Sequence, residues 1–319
     1  MTGLWRYAGR SAGARAVLLA SSIALSSSQA LADGFPPAYA KWSPWLEIGG
    51  AISNQDEATR GELAFWGPLT QNRSSLLFVD LRGKWFEDAQ REGNLALGFR
   101  GTQPMGWNFG VWLGYDRRLT ETGNAFNQIS FGVEALAPRW EVRVNGYVPL
   151  EQTGFVGPAV AGAPTLEMTA GTIVLVNGST QQRELALWGV DAEFGVRVPL
   201  GGPDRPVRPS GLRGAPLAPL RHELWLYGGG FYFDHRDLSS AVAGPQLRAE
   251  WRIENIIPYW AASRLTFDAA YRYDDVRRDQ YEAGLRLRLP IAEERNRAAW
   301  LALSPQERRM SEGPKRHTD

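Results

Sequence analysis

The chain contains three histidines, His222, His235 and His317, and they lie far apart. A general base or a metal ligand among them would need partners that the fold brings close. Asp234-His235-Arg236-Asp237 has the donor types for a cation, and Asp274, Asp275 and Asp279 have those for paired acids. Both runs fall where a strand should turn, so they read as solvated hairpin tips. Gly228-Gly229-Gly230 is followed neither by Gly-Lys-Ser/Thr nor by a helical pattern, so it is no phosphate loop; glycine there lets a strand bend. No serine motif matches a histidine as nucleophile and base, which disfavours an enzyme such as a lipase at a barrel rim. The absence of cysteine excludes disulfides and thiolate metal sites. The sequence thus offers no catalytic residue, no cofactor and no metal, and reads as a non-enzyme.

The charged residues are more informative. Glu134, Glu141, Arg143, Glu193, Arg197, Arg248, Glu250, Arg252, Asp268, Arg272, Arg286 and Arg288 all stand at alternate positions of apolar segments. Facing a lumen, charge pairs such as Glu141/Arg143 and Arg286/Arg288 could select ions; more ordinarily such residues satisfy one another across strands. The elements that position them have a period of two. Val142, Val144 and Val148 alternate with Glu141, Arg143 and Asn145, and Leu285, Leu287 and Leu289 alternate with Arg286 and Arg288. In a membrane barrel the apolar face meets lipid and the polar face lines the lumen. On that reading Leu287→Arg is costly and Arg286→Leu nearly silent.

The mature chain has no apolar run approaching the length of a spanning helix, so in a membrane it must be a closed barrel. Segments of 10 to 13 residues, aromatics near segment ends (Trp42, Trp45, Trp85, Tyr115, Tyr147, Tyr273), and a total of 13 Trp, 10 Tyr, 13 Phe and 35 Gly fit that class. Twelve strands are expected, over residues 42–53, 58–69, 73–85, 92–103, 106–117, 126–137, 139–149, 182–200, 221–233, 244–255, 262–274 and 279–290. The fold class is therefore all-β, a twelve-stranded antiparallel transmembrane barrel over 33–292, with a long external loop at 150–181 and a proline-rich insertion at 201–220. Within the loop, Asn177-Gly178 is expected to turn a hairpin made of 165–176 and 182–188.

Residues 1–32 read as a signal peptide. Arg6, Arg10 and Arg15 precede a short apolar stretch, and Ala30-Leu31-Ala32 has the form of a cleavage site before Asp33. After the barrel, 293–319 forms a tail. Its Ser304-Pro305 with Glu307 reads as a helix start, with a capping box and proline at the first turn. The tail has two readings: it plugs or threads the lumen, with Arg295, Arg297, Arg308 and Arg309 pairing to lumen carboxylates, or it frays at the periplasmic side.

Gly110-Val111-Trp112-Leu113-Gly114-Tyr115-Asp116, Phe131-Gly132-Val133-Glu134-Ala135 and Val144-Asn145-Gly146-Tyr147-Val148-Pro149 resemble the β-domain of inverse autotransporters, the intimin and invasin family. The second half is similar to it through Asp191-Ala192-Glu193-Phe194-Gly195, Leu226-Tyr227-Gly228-Gly229-Gly230, Tyr271-Arg272-Tyr273-Asp274-Asp275 and Gly284-Leu285-Arg286-Leu287-Arg288. The resemblance implies a twelve-stranded translocator that anchors and exports a C-terminal adhesin and has its post-barrel segment in the pore. Here Asp319 falls roughly where a passenger would begin, so a translocator without a passenger is expected. The alternatives are a porin-like channel for small solutes and an adhesive or structural barrel acting through its external loops. The partners expected are outer-membrane lipid and the general barrel-insertion machinery, with the protein a monomer in the outer membrane. The balance of 35 basic against 34 acidic residues argues against nucleic acid.

Overall fold

The computed structural model describes residues 41–55, 59–87, 89–169, 172–200, 219–257, 260–291 and 300–316. The proposed signal peptide, most of the proline-rich insertion, and Arg295 and Arg297 of the tail lie outside them.

Period-two alternation becomes twelve strands closed into one antiparallel barrel. These are β1 (Trp45–Ser53), β2 (Arg60–Gln71), β3 (Ser75–Phe86), β4 (Arg91–Thr102), β5 (Asn108–Leu119), β6 (Ala125–Leu136), β7 (Trp140–Pro149), β10 (Trp188–Val198), β11 (Arg221–Asp234), β12 (Val242–Glu254), β13 (Arg264–Asp274) and β14 (Arg278–Pro290). Between β7 and β10 the chain leaves the wall as a separate two-stranded sheet, β8 (Thr153–Thr169) and β9 (Thr172–Leu185). The barrel closes where β1 pairs with β14, from Trp45 opposite Pro290 to Ser53 opposite Glu282. The end at which β1 begins and β14 finishes is called the lower end below. The β8–β9 hairpin leaves from the opposite, upper end.

Two sequence expectations are corrected. Residues 182–185 belong to the hairpin, where they pair with Thr153–Val156, so the eighth wall strand starts at Trp188. The hairpin closes with Thr169 opposite Thr172, and Asn177 stands inside β9 opposite Pro164. The turn signal of Asn-Gly is local, and pairing of the flanking segments, with register shifts between Val156 and Val160 and between Ala161 and Pro164, overrides it.

Register sets the two faces. The outer face carries Ile48, Leu81, Leu97, Leu113, Phe131, Phe194, Leu247 and Leu285, all large apolar side chains left exposed. Their neighbours along the strands point inward and are mostly polar and buried, as in β4, where Glu92, Asn94 and Arg100 alternate with Leu95, Leu97 and Phe99. An apolar exterior around a polar interior is the inverse of a water-soluble sandwich and is stable only against hydrocarbon. Near the upper end Trp85, Tyr115, Trp188, Tyr232 and Tyr281 are exposed on the outside, as an aromatic girdle requires.

Trp42, Trp45 and Tyr147 do not join that girdle. All three are buried inside the barrel, with Trp45 stacked on Trp66 at 6.0 Å and Trp66 against Phe78 at 5.7 Å. In the wall, parity decides this: Trp45 is two residues from Glu47, which pairs with Arg288 in the lumen, and Tyr147 is two residues from Asn145, which bonds Asp191.

Candidate functional site: the pore and its tail

Every sequence-predicted wall residue falls on the lumen face, and most are tied to a strand neighbour. Glu134 accepts from Arg100 at 2.5 Å and from Arg143 at 2.9 Å, and Arg143 also reaches Glu141 at 3.2 Å. Arg248 pairs with Glu193 and Glu250. Arg252 holds Glu250 at 2.5 Å, and Arg197 holds Glu223 at 3.3 Å. Arg286 bonds Asp268 and Glu250, each at 3.0 Å, and Arg288 bonds Glu47 at 2.9 Å. Arg286 and Arg288 are thus not a pair: like charges two positions apart each find an acid on another strand. Arg272 lines a cavity under the upper rim, with Arg118, Arg277 and Glu282.

The residues suspected of other chemistry are absorbed by turns. Asp274 accepts from the Val276 and Arg277 amides at 2.9 and 2.6 Å and from Gln280 Nε2 at 2.8 Å. Asp279 accepts from Tyr271 Oη at 2.8 Å. His235 Nδ1 accepts from the Asp237 amide at 3.1 Å, and Asp237 faces Arg183 at 3.2 Å. Gly228-Gly229-Gly230 lies within β11, where a Cβ on Gly229 would stand 2.0 Å from the Ala192 carbonyl oxygen. That close approach of β10 is what the glycine permits.

The lumen is filled by the chain's own tail. Pro305–Arg308 forms a single helical turn, α1, followed by a 3-10 turn over Arg309–Ser311. The capping box is complete: Ser304 Oγ accepts from the Glu307 amide at 3.2 Å, and Glu307 accepts from the Ser304 amide at 2.8 Å. Lys41 Nζ donates to the same Glu307 at 2.6 Å. Burial opposes ionisation of Glu307, but the Lys41 and Ser304 hydrogen bonds outweigh it and hold its carboxyl below the usual range. At the lower end Leu303 and Met310 pack into a cluster with Trp42, Trp45, Trp66, Leu76, Phe78 and Trp112, and Trp300 packs against it.

From there the tail climbs the lumen with its main chain bound by side chains of the wall and its lower rim. The Gln306 carbonyl accepts from Asn108 at 2.8 Å and that of Glu307 from Trp42 Nε1 at 2.7 Å. Met310 O accepts from Arg100 at 2.7 Å, and Glu312 O from the same guanidinium. Trp45 Nε1 reaches Ser311 O at 2.9 Å. Arg143 reaches Gly313 O at 3.2 Å, Arg82 reaches Pro314 O at 2.5 Å, and Asn145 reaches Lys315 O at 3.0 Å. Beyond Ser311 the described tail has neither a helix nor a ladder of its own, so its carbonyls need such donors. Side-chain charges add to this. Arg309 pairs with Glu141 and Glu312, Lys315 with Glu250 at 2.8 Å, and Arg316 with Asp116 and Asp80 at 2.7 and 2.9 Å. Arg308 lines a gap of about 30 Å³ at the lower mouth with Arg197, Glu223 and Glu254. Above the tail the lumen opens into a cavity of about 600 Å³ lined by Glu92, Arg118, Gln128, Glu184 and Arg277.

Sequence reasoning missed the inward aromatics and the wall residues Asp80, Arg82, Arg100 and Asp116. Their signal was available, since each alternates with an outward apolar residue: Asp80 with Leu81, Arg100 with Phe99, Asp116 with Tyr115.

Closed wall, apolar exterior and polar filled lumen define an outer-membrane β-barrel. Within it, residues 24–154 match the inverse autotransporter β-domain, a stretch that reaches through β7 to the start of β8. The match ends before the second-half motifs, which the structure places in β10, β11, β13 and β14. No curated protein matches the chain. Among solved structures, a membrane protein from work on in-meso crystallisation aligns with a TM-score of 0.52 at 14% identity, covering 85% of this chain and 96% of its own. The translocator domain of the autotransporter NalP from Neisseria meningitidis aligns with a TM-score of 0.39 at 10% identity, covering 87% and 98%. The KdgM porin, solved with disordered oligogalacturonate, aligns with a TM-score of 0.41 at 5% identity, covering 76% and 98%.

Proposed function

We propose that this barrel is a translocator and anchor that holds a polypeptide, its own C-terminal segment, in the pore. The observation that carries the reading is the binding of tail carbonyls from Gln306 to Lys315 by wall and rim donors. A lumen built to pass small solutes would leave such donors to water, whereas one built around a polypeptide spends them on backbone. In this reading the lower end is periplasmic, the chain enters there, and it runs toward the outside. The protein is not an enzyme and works as a monomer, inserted by the general barrel-insertion machinery after a signal peptide is removed at Ala32; mass measurement of the mature protein should place its first residue at Asp33.

The test is single-channel conductance in a planar bilayer. The intact protein should be closed, and a chain ending at Ile291 should conduct. Equal conductance of both would make the tail incidental and favour the small-solute channel.

A further inference from the structure

The donors that read the tail's carbonyls do not by themselves set how far the tail advances, because a slid chain offers them other carbonyls. Arg309 and Lys315 each meet one wall carboxylate, Glu141 and Glu250, whereas two tail side chains each meet more than one wall charge of opposite sign. Glu312 sits among four arginines. Arg264 grips it with two hydrogen bonds of 2.8 Å, Arg309 lies at 3.1 Å, Arg288 at 3.6 Å and Arg252 at 3.8 Å. The three wall arginines are held in place by wall acids of their own: Arg264 by Glu254 at 2.5 Å, Arg288 by Glu47 at 2.9 Å and Arg252 by Glu250 at 2.5 Å. The cage is therefore built into β12, β13 and β14. Four residues on, Arg316 meets the opposite sign, with Asp80 and Asp116 at 2.9 and 2.7 Å and the Trp112 ring at 5.1 Å.

Resting on the polypeptide-holding reading above, we infer that the wall carries a register lock: the Arg252–Arg264–Arg288 cage accepts one carboxylate, the Asp80–Asp116 pair accepts one guanidinium, and together they set the depth and direction at which the threaded chain stops. Guanidinium–carboxylate geometry is directional and buried charge is costly to leave unpaired, so a slide by one residue loses both contacts. A chain lying in the reverse direction would bring Arg316 toward the arginines. The carbonyl donors supply grip at any register; the lock supplies the stop.

The test adds two variants of the full chain to the bilayer experiment. Glu312→Gln should raise the opening frequency at least about tenfold over the intact protein, because the tail is gripped but no longer stopped. Arg316→Gln, which empties the Asp80–Asp116 pair of its guanidinium, should raise the opening frequency to a comparable degree, because the stop needs both contacts. If Glu312→Gln stays as closed as the intact protein while the chain ending at Ile291 conducts, the lock is wrong and the filled-pore reading stands. If Glu312→Gln opens but Arg316→Gln stays as closed as the intact protein, the two sites do not act together and the lock is likewise overturned. If truncation at Ile291 changes nothing, the reading on which the lock rests fails first.

Discussion

The tail and the β8–β9 hairpin are both departures from the wall, and they solve the same backbone problem differently. The hairpin leaves at the upper end and satisfies its amides and carbonyls with its own ladder, from Thr153 opposite Leu185 to Thr169 opposite Thr172. The described residues of the tail have no partner strand, and their carbonyls go to Trp, Asn and Arg side chains of the barrel. The hairpin touches the rest of the molecule through polar contacts at its base, where Glu184 accepts from Asn124 at 2.8 Å, Thr120 at 2.9 Å and Thr122 at 2.8 Å. The tail touches it along its described length, with charges buried on both sides. The same kind of contact is therefore worth different amounts: a buried charge that loses its partner is stranded, and an exposed one is returned to water.

That contrast predicts a graded series. The largest effect should come from Arg100→Met, which takes one of two guanidinium partners from Glu134 and strips two tail carbonyls of their donor at a fully buried site. It should cost about 3–5 kcal/mol in urea unfolding from lipid vesicles; a loss below about 1 kcal/mol would show that the lumen is wetter than the burial implies. Next, Leu287→Arg should cost about 2 kcal/mol, between the midplane and interface values, since Leu287 stands opposite Leu265 toward the lower end of the wall. This variant sharpens the assignment of faces, since tolerance in the same unfolding assay would place Leu287 away from lipid.

Arg286→Leu follows. Alternation alone made it nearly silent, but Arg286 bonds Asp268 and Glu250. Stripping the Asp268 carboxylate of that partner should cost about 1–3 kcal/mol, and Arg286→Leu with Asp268→Asn should recover part of it in a double-mutant cycle. At the hairpin, Arg183→Ala removes a pair with Asp237 that is exposed on both sides. No more than about 1 kcal/mol should be lost, and a larger change in barrel melting would mean that the hairpin is coupled to the wall.

The smallest effect is a pH dependence. Burial raises the Glu184 pKa, but the Asn124, Thr122 and Thr120 hydrogen bonds outweigh it and hold the carboxyl below the ordinary 4.5. A depressed folded value stabilises the base contact above that pH and loses the contribution as pH falls through the folded value. A spin label at Gln152 should therefore be restrained at neutral pH and gain mobility in the acid range, with Glu184→Gln abolishing the dependence.

Much of the barrel was legible because the period-two pattern is written in every strand. Alternating valine with Glu141 and Arg143, or leucine with Arg286 and Arg288, states both the strand and its two faces. The Ser304–Glu307 cap was legible for a similar reason: its hydrogen bonds are made between residues three apart. The eighth wall strand was misplaced because residues 182–185 have strand character whichever sheet they join, and only pairing with Thr153–Val156 decides between them.

The amino-acid sequence by itself determined most of the wall strands, the charged side of their faces and the capped turn, because those depend on neighbours within a few residues. Only the tertiary structure decided what fills the pore. Trp45, Trp66, Phe78 and Trp112 face inward around Met310 because closing β1 on β14 puts them in one lumen with the tail. The partners of Arg82, Arg100, Arg143 and Asn145 include main-chain carbonyls. A carbonyl is the same in every residue, so its role as acceptor leaves no mark on side-chain identity and appears only when the chain is folded back through its own barrel.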